Sequence, residues 1–244
     1  MNNKHYSTFN LGVRSVIFTL LAVCLVVLYS FVCLGALPFP LKYRHGIIRS
    51  FLFLHLCLLK NICLIDYDVS GLENIPTDRN GIILSKHQST WETFFLPLIF
   101  HDPAVILKRE LLWVPFFGWG LAVSDPISIN RKAKSGALQQ IITKGTDCLK
   151  KGRWVLVFPE GTRIPYGQVA KYKLGGARLA AATGYPVIPV SHNAGRYWPK
   201  RGFIKQPGTV RIVIGPLMET KGLSAEKIMT AASEWIESTA RRLG

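Results

Sequence analysis

The uncharged run over residues 16–37 constrains this chain more than any other feature of its sequence, because so long an apolar helix needs a nonaqueous environment. At ~1.5 Å per residue, such a helix is about as long as the ~30 Å hydrocarbon core of a bilayer. Pro38 and Pro40 then end it. A cleaved signal peptide has a shorter apolar core and a small-residue cleavage site, so the run predicts a retained membrane anchor.

A second apolar run, residues 47–65, contains Arg49, His55 and Lys60. Arg49 and Lys60 are roughly three helical turns apart, so they share one helix face. This pattern favours an interfacial helix whose apolar face rests among acyl chains while its cations meet lipid phosphates. The alternative is a buried helix that covers the rest of the protein, because two cations define only a narrow polar stripe. We predict that residues 1–65 form a membrane anchor and an interfacial helix.

Beyond residue 65, short β-like runs alternate with longer helical stretches, which is typical of an α/β fold. The predicted strands cover residues 81–86, 104–108, 126–129, 153–158, 186–190 and 209–214. The predicted helices cover residues 90–100, 133–151, 174–183 and 224–243. We expect one α/β catalytic domain over residues 66–244, with a mixed, largely parallel sheet flanked by helices and preceded by the membrane-associated two-helix segment.

The charge balance narrows the choice of partners. Thirty Lys and Arg residues against fourteen Asp and Glu residues give a formal net charge of +16, which predicts anionic partners. Nucleic acid is disfavoured, because no recognised binding motif accompanies the charge and because the chain carries a membrane segment. Anionic membrane lipids fit better. The five cysteines show neither a disulfide framework nor the spacing of a zinc site.

Residues 87–92, His-Gln-Ser-Thr-Trp-Glu, place an imidazole and a carboxylate at a predicted strand-to-helix junction. His87 would then lie beyond the carboxyl end of a strand, where open α/β sheets bind their ligands. The pair predicts a catalytic base, His87, whose tautomer is fixed by Glu92. A purely structural interpretation uses the same residues, because Ser89 and Glu92 have the S-x-x-E spacing of a helix capping box.

A second cluster, Phe-Pro-Glu-Gly-Thr-Arg at residues 158–163, directly follows the apolar run 154–157. The two clusters and their order resemble the glycerolipid acyltransferase family, whose members acylate lysophosphatidic acid and related lysolipids. That family carries H-x-x-x-x-D near the start of its catalytic domain, then F-P-E-G-T-R, then an apolar strand with a proline, here residues 187–190. The resemblance covers roughly residues 66–215.

The chain departs from the family pattern in two places. Glu92 stands where the family has Asp, which keeps the carboxylate and adds one methylene. The family's remaining block, which ends in an Asp-Arg pair, is matched loosely by residues 127–131, where Asn130 replaces the acidic residue and Arg131 is retained.

The resemblance implies a 1-acylglycerol-3-phosphate acyltransferase, which moves a fatty acyl group from an acyl thioester to the free hydroxyl of lysophosphatidic acid and so makes phosphatidic acid. His87 would deprotonate the hydroxyl, and Glu92 would hold the imidazole. Arg131 and Arg163 would bind the acceptor phosphate, because a guanidinium fork matches phosphate geometry. The other predicted substrate-binding residues are Lys108, Glu160, Gly161 and Thr162.

Acyl-coenzyme A or an acidic acyl-carrier protein would be the acyl donor, so we expect a co-substrate and neither a cofactor nor a metal ion. Lys42, Arg44, Arg49 and Lys60 follow the first apolar run, which favours a cytoplasmic catalytic domain. We therefore expect the cytoplasmic face of a bacterial inner membrane. In relatives of this family both leading helices can lie in one leaflet, so a crossing of the bilayer is left open.

Two other functions are left open. Arg131 and Arg163 could equally bind the phosphates of a coenzyme A donor, so the acceptor could be another lysolipid, such as a lyso-aminolipid without phosphate. A non-catalytic membrane protein that binds anionic lipids would account for the charge but gives no role to His87 and Glu92. A serine hydrolase that uses Ser89 is disfavoured, because no G-x-S-x-G elbow surrounds this serine.

Overall fold

A computed structural model describes residues 6–130 and 134–244, which form a seven-stranded sheet flanked by helices. The strands are β1 (Ile65–Ser70), β2 (Ile82–Ser85), β3 (Ala104–Lys108), β4 (Ile127–Ile129), β5 (Val155–Val157), β6 (Val187–His192) and β7 (Gly208–Ile214). The helices are α1 (Thr8–Ala36), α2 (Leu41–Cys63), α3 (Trp91–Ile99), α4 (Phe117–Val123), α5 (Lys134–Lys150), α6 (Gly175–Thr183), α7 (Ala194–Tyr197) and α8 (Ala225–Arg242).

The sheet is mixed but largely parallel. Its strand order is β1-β7-β6-β2-β5-β3-β4, and the pairing of β6 with β7 is antiparallel while the other five neighbouring pairs are parallel. The central strands β2 and β5 are buried along their whole length, which explains why they read as continuous apolar runs. The predicted fold class is confirmed.

Two apolar cores cover the two faces of the sheet. Alternate residues of β2 divide between them, since Ile83 belongs to one core while Ile82 and Leu84 belong to the other. Helices α2 and α3 contribute to the core that contains Ile83, and helices α5, α6 and α8 contribute to the opposite core. The sheet is therefore buried on both sides, as parallel strands require.

The parallel strands bring distant segments to one edge of the sheet. Strands β6, β2, β5 and β3 run in the same direction, so their carboxyl ends lie at a common edge. His87 comes shortly after β2, Phe158 directly follows β5, Lys108 ends β3 and His192 ends β6. The two sequence motifs are thus neighbours in space because the strands before them are neighbours in the sheet.

Helices α1 and α2 are both long and apolar enough to cross a membrane. Helix α1 also packs against the α/β part of the chain: the Lys205 N–H donates to the Ser15 hydroxyl at 2.9 Å, and Phe18 packs edge-to-face on Trp198. Its opposite face exposes large apolar side chains, among them Phe9, Leu20, Val23, Leu28 and Phe31. Helix α1 therefore packs one face against the protein and presents the other to an apolar environment. The division of the chain into residues 1–65 and 66–244 stays a prediction.

The two cations predicted to share a face of α2 contact carboxylates of the α/β part. Lys60 Nζ lies 3.0 Å from the Asp66 carboxylate, and Arg49 Nη1 lies 3.8 Å from the Asp102 carboxylate. Both cations are partly exposed. The interfacial orientation of α2 stays a prediction.

The predicted elements agree with the observed ones to within a few residues at each end. All six predicted strands and all four predicted helices of the α/β part are present. The strand β1 was missed, because Ile65–Ser70 is mostly partly exposed or exposed and carries two aspartates, Asp66 and Asp68. Its pairing with β7, more than a hundred residues later, is what makes it a strand.

The contact between Ser15 and Lys205 provides a test of how α1 sits on the protein. Ser15 is fully buried, so Ser15→Ala leaves the Lys205 N–H without its partner, which should cost about 1–3 kcal/mol of stability. We expect the melting temperature in detergent to fall by several degrees. Gly12→Ala on the same helix is the control, because a methyl group there meets no atom within 4 Å, and it should leave stability unchanged or higher. Equal melting temperatures for the two variants would contradict this packing.

Candidate active site

The imidazole of His87 and the carboxylate of Glu92 are paired as predicted. His87 Nδ1 lies 2.9 Å from Glu92 Oε1. Because a carboxylate only accepts hydrogen bonds, this contact assigns the proton of a neutral imidazole to Nδ1 and leaves Nε2 as the basic nitrogen. The His87 ring lies face to face with the Phe158 ring, with centroids 4.1 Å apart, and it lines a large, mainly apolar cavity at the sheet edge.

Glu92 also caps the helix that it begins. Its Oε1 accepts the backbone N–H groups of Gln88 and Ser89, each at 2.8 Å, and the Ser89 hydroxyl accepts the Trp91 N–H at 3.2 Å. The catalytic and capping interpretations of this segment are therefore compatible, since one oxygen serves both. Glu92 is fully buried, and its three donors stabilise the carboxylate at the positive end of α3.

The charge state of Glu92 follows from these neighbours. Burial acts to raise the pKa of its carboxyl, but His192, whose Nε2 lies 4.0 Å away, and the hydrogen bonds from His87 and the Ser89 amide outweigh it. The pKa of Glu92 is held below its usual range, so the group is a carboxylate at neutral pH. An ionised Glu92 can stabilise the imidazolium that forms when His87 accepts a proton.

The second motif is bonded directly to the first. Glu160 Oε2 accepts the backbone N–H of His87 at 2.6 Å, and the backbone carbonyl of His87 accepts the N–H of Ile164 at 2.8 Å. Arg163 Nη1 donates to the Thr90 hydroxyl at 2.6 Å. Three hydrogen bonds thus fasten the loop after β5 to the loop after β2.

Glu160 does not line the cavity, unlike its neighbours in the motif. Its side chain is fully buried, it holds the His87 amide, and its Oε1 lies 3.6 Å from Lys86 Nζ. Burial raises the pKa of the Glu160 carboxyl to about 8, although the Lys86 ammonium and the His87 amide act in the opposite direction. Glu160 therefore lies beneath His87 with its oxygens against protein groups, and its role in substrate binding stays a prediction.

The other predicted binding residues surround His87. Gly161, Thr162 and Arg163 line the cavity, and Lys108 lines it from the end of β3. The Thr90 contact engages one of the five N–H donors of the Arg163 guanidinium, so others can meet an anion. Arg131 lies outside the described residues, so its role stays a prediction.

Two lysines that the sequence analysis did not assign lie against the same motif. Gly161 has φ of +70°, and a Cβ placed on it would lie 2.6 Å from Lys173 Nζ, so only glycine fits here without displacing that lysine. Lys200 Nζ donates to the Thr162 hydroxyl at 3.3 Å. Lys173 lies further along the same segment between β5 and α6 as the motif, while Lys200 comes from the segment between α7 and β7. They add positive charge beside Arg163.

The cavity beside His87 has a volume of about 670 Å³ and is bounded mainly by apolar side chains. Helices α1, α2 and α3 supply much of its wall, and strand β3 and helix α4 close the other side. Representative wall residues are Cys33, Phe51, Phe94, Phe117 and Leu121. The membrane-compatible helices therefore form part of the site. A long apolar group can lie in this cavity with its polar end at His87.

Comparisons with known proteins agree with this geometry. Residues 66–193 match the family model described as acyltransferase. A curated 1-acyl-sn-glycerol-3-phosphate acyltransferase of Pseudomonas aeruginosa is 47% identical over 93% of this chain and 90% of its own, and one of Borreliella burgdorferi is 32% identical over 72% and 71%. The crystal structure of the 1-acyl-sn-glycerophosphate (LPA) acyltransferase, PlsC, from Thermotoga maritima matches with a TM-score of 0.80 and 28% identity over 95% of each chain.

The double role of Glu92 can be separated by two substitutions. Glu92→Gln keeps an oxygen for the three donors but removes the charge that stabilises imidazolium, so turnover should fall about 10²–10⁴-fold while the melting temperature changes little. Glu92→Ala removes the oxygen as well, so both quantities should fall. Steady-state kinetics and thermal denaturation of the two variants decide the question. Normal turnover in Glu92→Gln would reduce Glu92 to a helix cap.

Proposed function

Because the chain belongs to the acyltransferase family, we propose that it transfers a fatty acyl group from an acyl thioester to the free hydroxyl of 1-acylglycerol-3-phosphate. The product is phosphatidic acid, so the reaction is a step of phospholipid synthesis. One observation carries this proposal: the buried Glu92 carboxylate is hydrogen-bonded to Nδ1 of His87, and the His87 ring lines a large apolar cavity. The protein is an O-acyltransferase of a membrane environment, which suits the two apolar helices in its fold.

The paired His87 and Glu92 support a direct transfer. Nε2 of His87 accepts the proton of the acceptor hydroxyl while the hydroxyl oxygen attacks the thioester carbonyl. The C–O bond forms, the C–S bond breaks, and the departing thiolate takes the proton back from the imidazolium. Glu92 stabilises the imidazolium between these steps. A thioester is already an activated acyl group, so the chain itself needs no acyl-enzyme and the acyl donor acts as a co-substrate.

The size and the apolar walls of the cavity support the proposal that an acyl chain binds there. Its volume of about 670 Å³ lies within the range of roughly 300–1,000 Å³ that is usual for ligand sites. Its walls come from α1 and α2 as well as from the α/β part, so an acyl chain can pass from a bilayer into the site without crossing water. This arrangement suits substrates that are themselves membrane lipids.

The cations beside His87 support recognition of a phosphate. Arg163 and Lys108 line the cavity, and Lys200 contacts Thr162 of the same motif. A guanidinium binds phosphate through parallel N–H groups and stays charged when partly buried. We propose Arg163 as the main contact for the acceptor phosphate, with Lys108, Gly161, Thr162 and Arg131 as further binding residues.

The acyl donor and the orientation belong to the same proposal. Acyl-coenzyme A and an acidic acyl-carrier protein both carry negative charge, and a net charge of +16 suits either of them. The cations that follow the first apolar run favour the cytoplasmic face of a bacterial inner membrane for the catalytic domain. Lysophosphatidic acid and membrane lipids complete the proposed partners.

Replacement of the base tests the mechanism. His87→Ala removes the group that accepts the hydroxyl proton, so turnover with lysophosphatidic acid should fall about 10²–10⁴-fold. His101→Ala is the matched control, because His101 is an exposed histidine in the turn after α3 and should leave turnover near normal. Initial rates are measured with radiolabelled acyl-coenzyme A, and melting temperatures verify folding. A folded His87→Ala variant with near-normal turnover would refute the mechanism.

Replacement of Arg163 tests which phosphate this residue binds. Arg163→Ala removes the guanidinium, and Arg163→Lys keeps the charge but loses the fork, so both should raise KM for lysophosphatidic acid, by about 10-fold or more for Ala. The same variants are assayed with monoacylglycerol, the acceptor without phosphate, and their loss should be much smaller there. Arg178→Ala, an exposed arginine on α6, is the control. An equal loss with both acceptors would mean that Arg163 binds the acyl donor or stabilises the fold. A lysolipid without phosphate would then remain possible as the acceptor.

A further inference from the structure

A buried lysine directly precedes the catalytic histidine. Lys86 is 1% exposed, although a lysine side chain is costly to bury unless its charge is paired. Its Nζ lies 2.6 Å from Glu237 Oε1 and 3.6 Å from Glu160 Oε1. The backbone on each side of Lys86 is also fixed, since its N–H donates to the Val190 carbonyl at 3.1 Å. A residue that only ended strand β2 would not need the buried ammonium of Lys86.

The three charged groups connect helix α8 to the backbone of His87. Glu237 lies on α8, a helix that begins after residue 220, and it reaches Lys86 at the end of β2. Lys86 in turn lies against Glu160, and the other oxygen of Glu160 holds the His87 N–H at 2.6 Å. A continuous chain of contacts therefore runs from α8 to the residue proposed as the base.

Tyr172 fixes the far end of this chain. Its hydroxyl donates to Glu237 Oε1 at 2.8 Å. Burial raises the pKa of Tyr172 above its usual value, and the neighbouring Glu160 and Glu237 raise it further, so the phenol keeps its proton and remains a donor. Glu237 is thus held by two donors, Tyr172 and Lys86. Its carboxylate is therefore held in a fixed position although its side chain is partly exposed.

We propose that Glu237, through Lys86 and Glu160, positions the backbone of His87 for proton transfer, so that helix α8 contributes to turnover without touching substrate. The inference rests on the role proposed for His87 as the base. Within the described part of the chain, the residues that line the cavity include His87 but none of these three. Their influence on the reaction therefore passes through the His87 amide.

The physical reason is that the Lys86 ammonium lies between two glutamate side chains, with Glu237 Oε1 at 2.6 Å and Glu160 Oε1 at 3.6 Å. Without the charge of Glu237, the Lys86 ammonium is attracted to Glu160 alone. Glu160 cannot follow that attraction without changing its bond to the His87 N–H. A reacting group that moves by about 1 Å can lose on the order of 10²-fold in rate, because proton transfer depends steeply on geometry. The substrate-binding groups at Arg163 and Lys108 stay where they are.

The experiment compares Glu237→Gln, Lys86→Met and the double variant with a control, Glu234→Gln. Glu237→Gln retains an oxygen for Tyr172 and removes only the charge, so it is the variant best able to fold. Glu234 lies on the same helix but is exposed. The kcat, the KM for lysophosphatidic acid and for a long-chain acyl-coenzyme A, and the melting temperature are measured for each full-length protein in detergent, together with His87→Ala.

We expect kcat of Glu237→Gln and Lys86→Met to fall by about 10-fold to 10²-fold, with both KM values within about twofold of the parent enzyme. The double variant should be no slower than the slower single variant, because both substitutions break the same link. Glu234→Gln should match the parent enzyme. If Lys86→Met does not fold, the comparison of Glu237→Gln with Glu234→Gln decides alone.

A purely structural network gives a different result. The inference is overturned if Glu237→Gln lowers only the melting temperature and keeps normal kcat at temperatures where it is folded, or if its KM rises while kcat is unchanged. His87→Ala distinguishes a failure of the proposed network from a failure of the proposed mechanism. If His87→Ala is inactive and Glu237→Gln is normal, only the network fails; if His87→Ala is active, the proposed mechanism fails whatever the network does.

Discussion

The active-site geometry depends on one buried carboxylate. Glu92 has no access to water, so its charge has to be stabilised by protein donors, and the loop between β2 and α3 supplies two of them, the backbone N–H groups of Gln88 and Ser89. The third donor is Nδ1 of His87. Satisfying the carboxylate therefore also fixes the ring, its tautomer and the direction of its other nitrogen. Capping a helix and preparing a base are the same event here.

The parallel sheet converts this local arrangement into a complete site. Strands β2 and β5 are neighbours, so the loops after them meet, and the bonds from Glu160, Arg163 and Ile164 to the first loop hold them together. The apolar helices α1 and α2 then form a wall of the cavity that starts at His87. The two helices that are apolar enough for a bilayer therefore also bound the cavity that we propose for the acyl chain.

The sequence predicted the contact between neighbouring residues better than the depth of each residue in the protein. His87 and Glu92 lie five positions apart, so local geometry almost fixes their contact, and the extra methylene of Glu92 is accommodated by the capping hydrogen bonds. Glu160 was expected at the substrate because it stands within a binding motif. Its position beneath His87 follows from Lys86 and Glu237, which lie on other elements. Lys200 was missed for the same reason, because a contact between segments distant in the chain leaves no spacing pattern, while Lys173 follows the motif in the same segment and was left unassigned.

The sequence by itself determined the α/β class, most element boundaries and the apolar leading helices, because these follow from periodicity, length and side-chain chemistry over short windows. The base and the phosphate ligands that it indicated stay predictions. Only the tertiary structure decided the strand order, the strand β1, the cavity shared by α1 and the sheet edge, and the buried network that reaches from Glu237 to His87. These features are set by packing between residues far apart in the chain, as in the 151-residue separation of Lys86 and Glu237. No local preference encodes such a contact, since its free energy exists only when the whole sheet has formed.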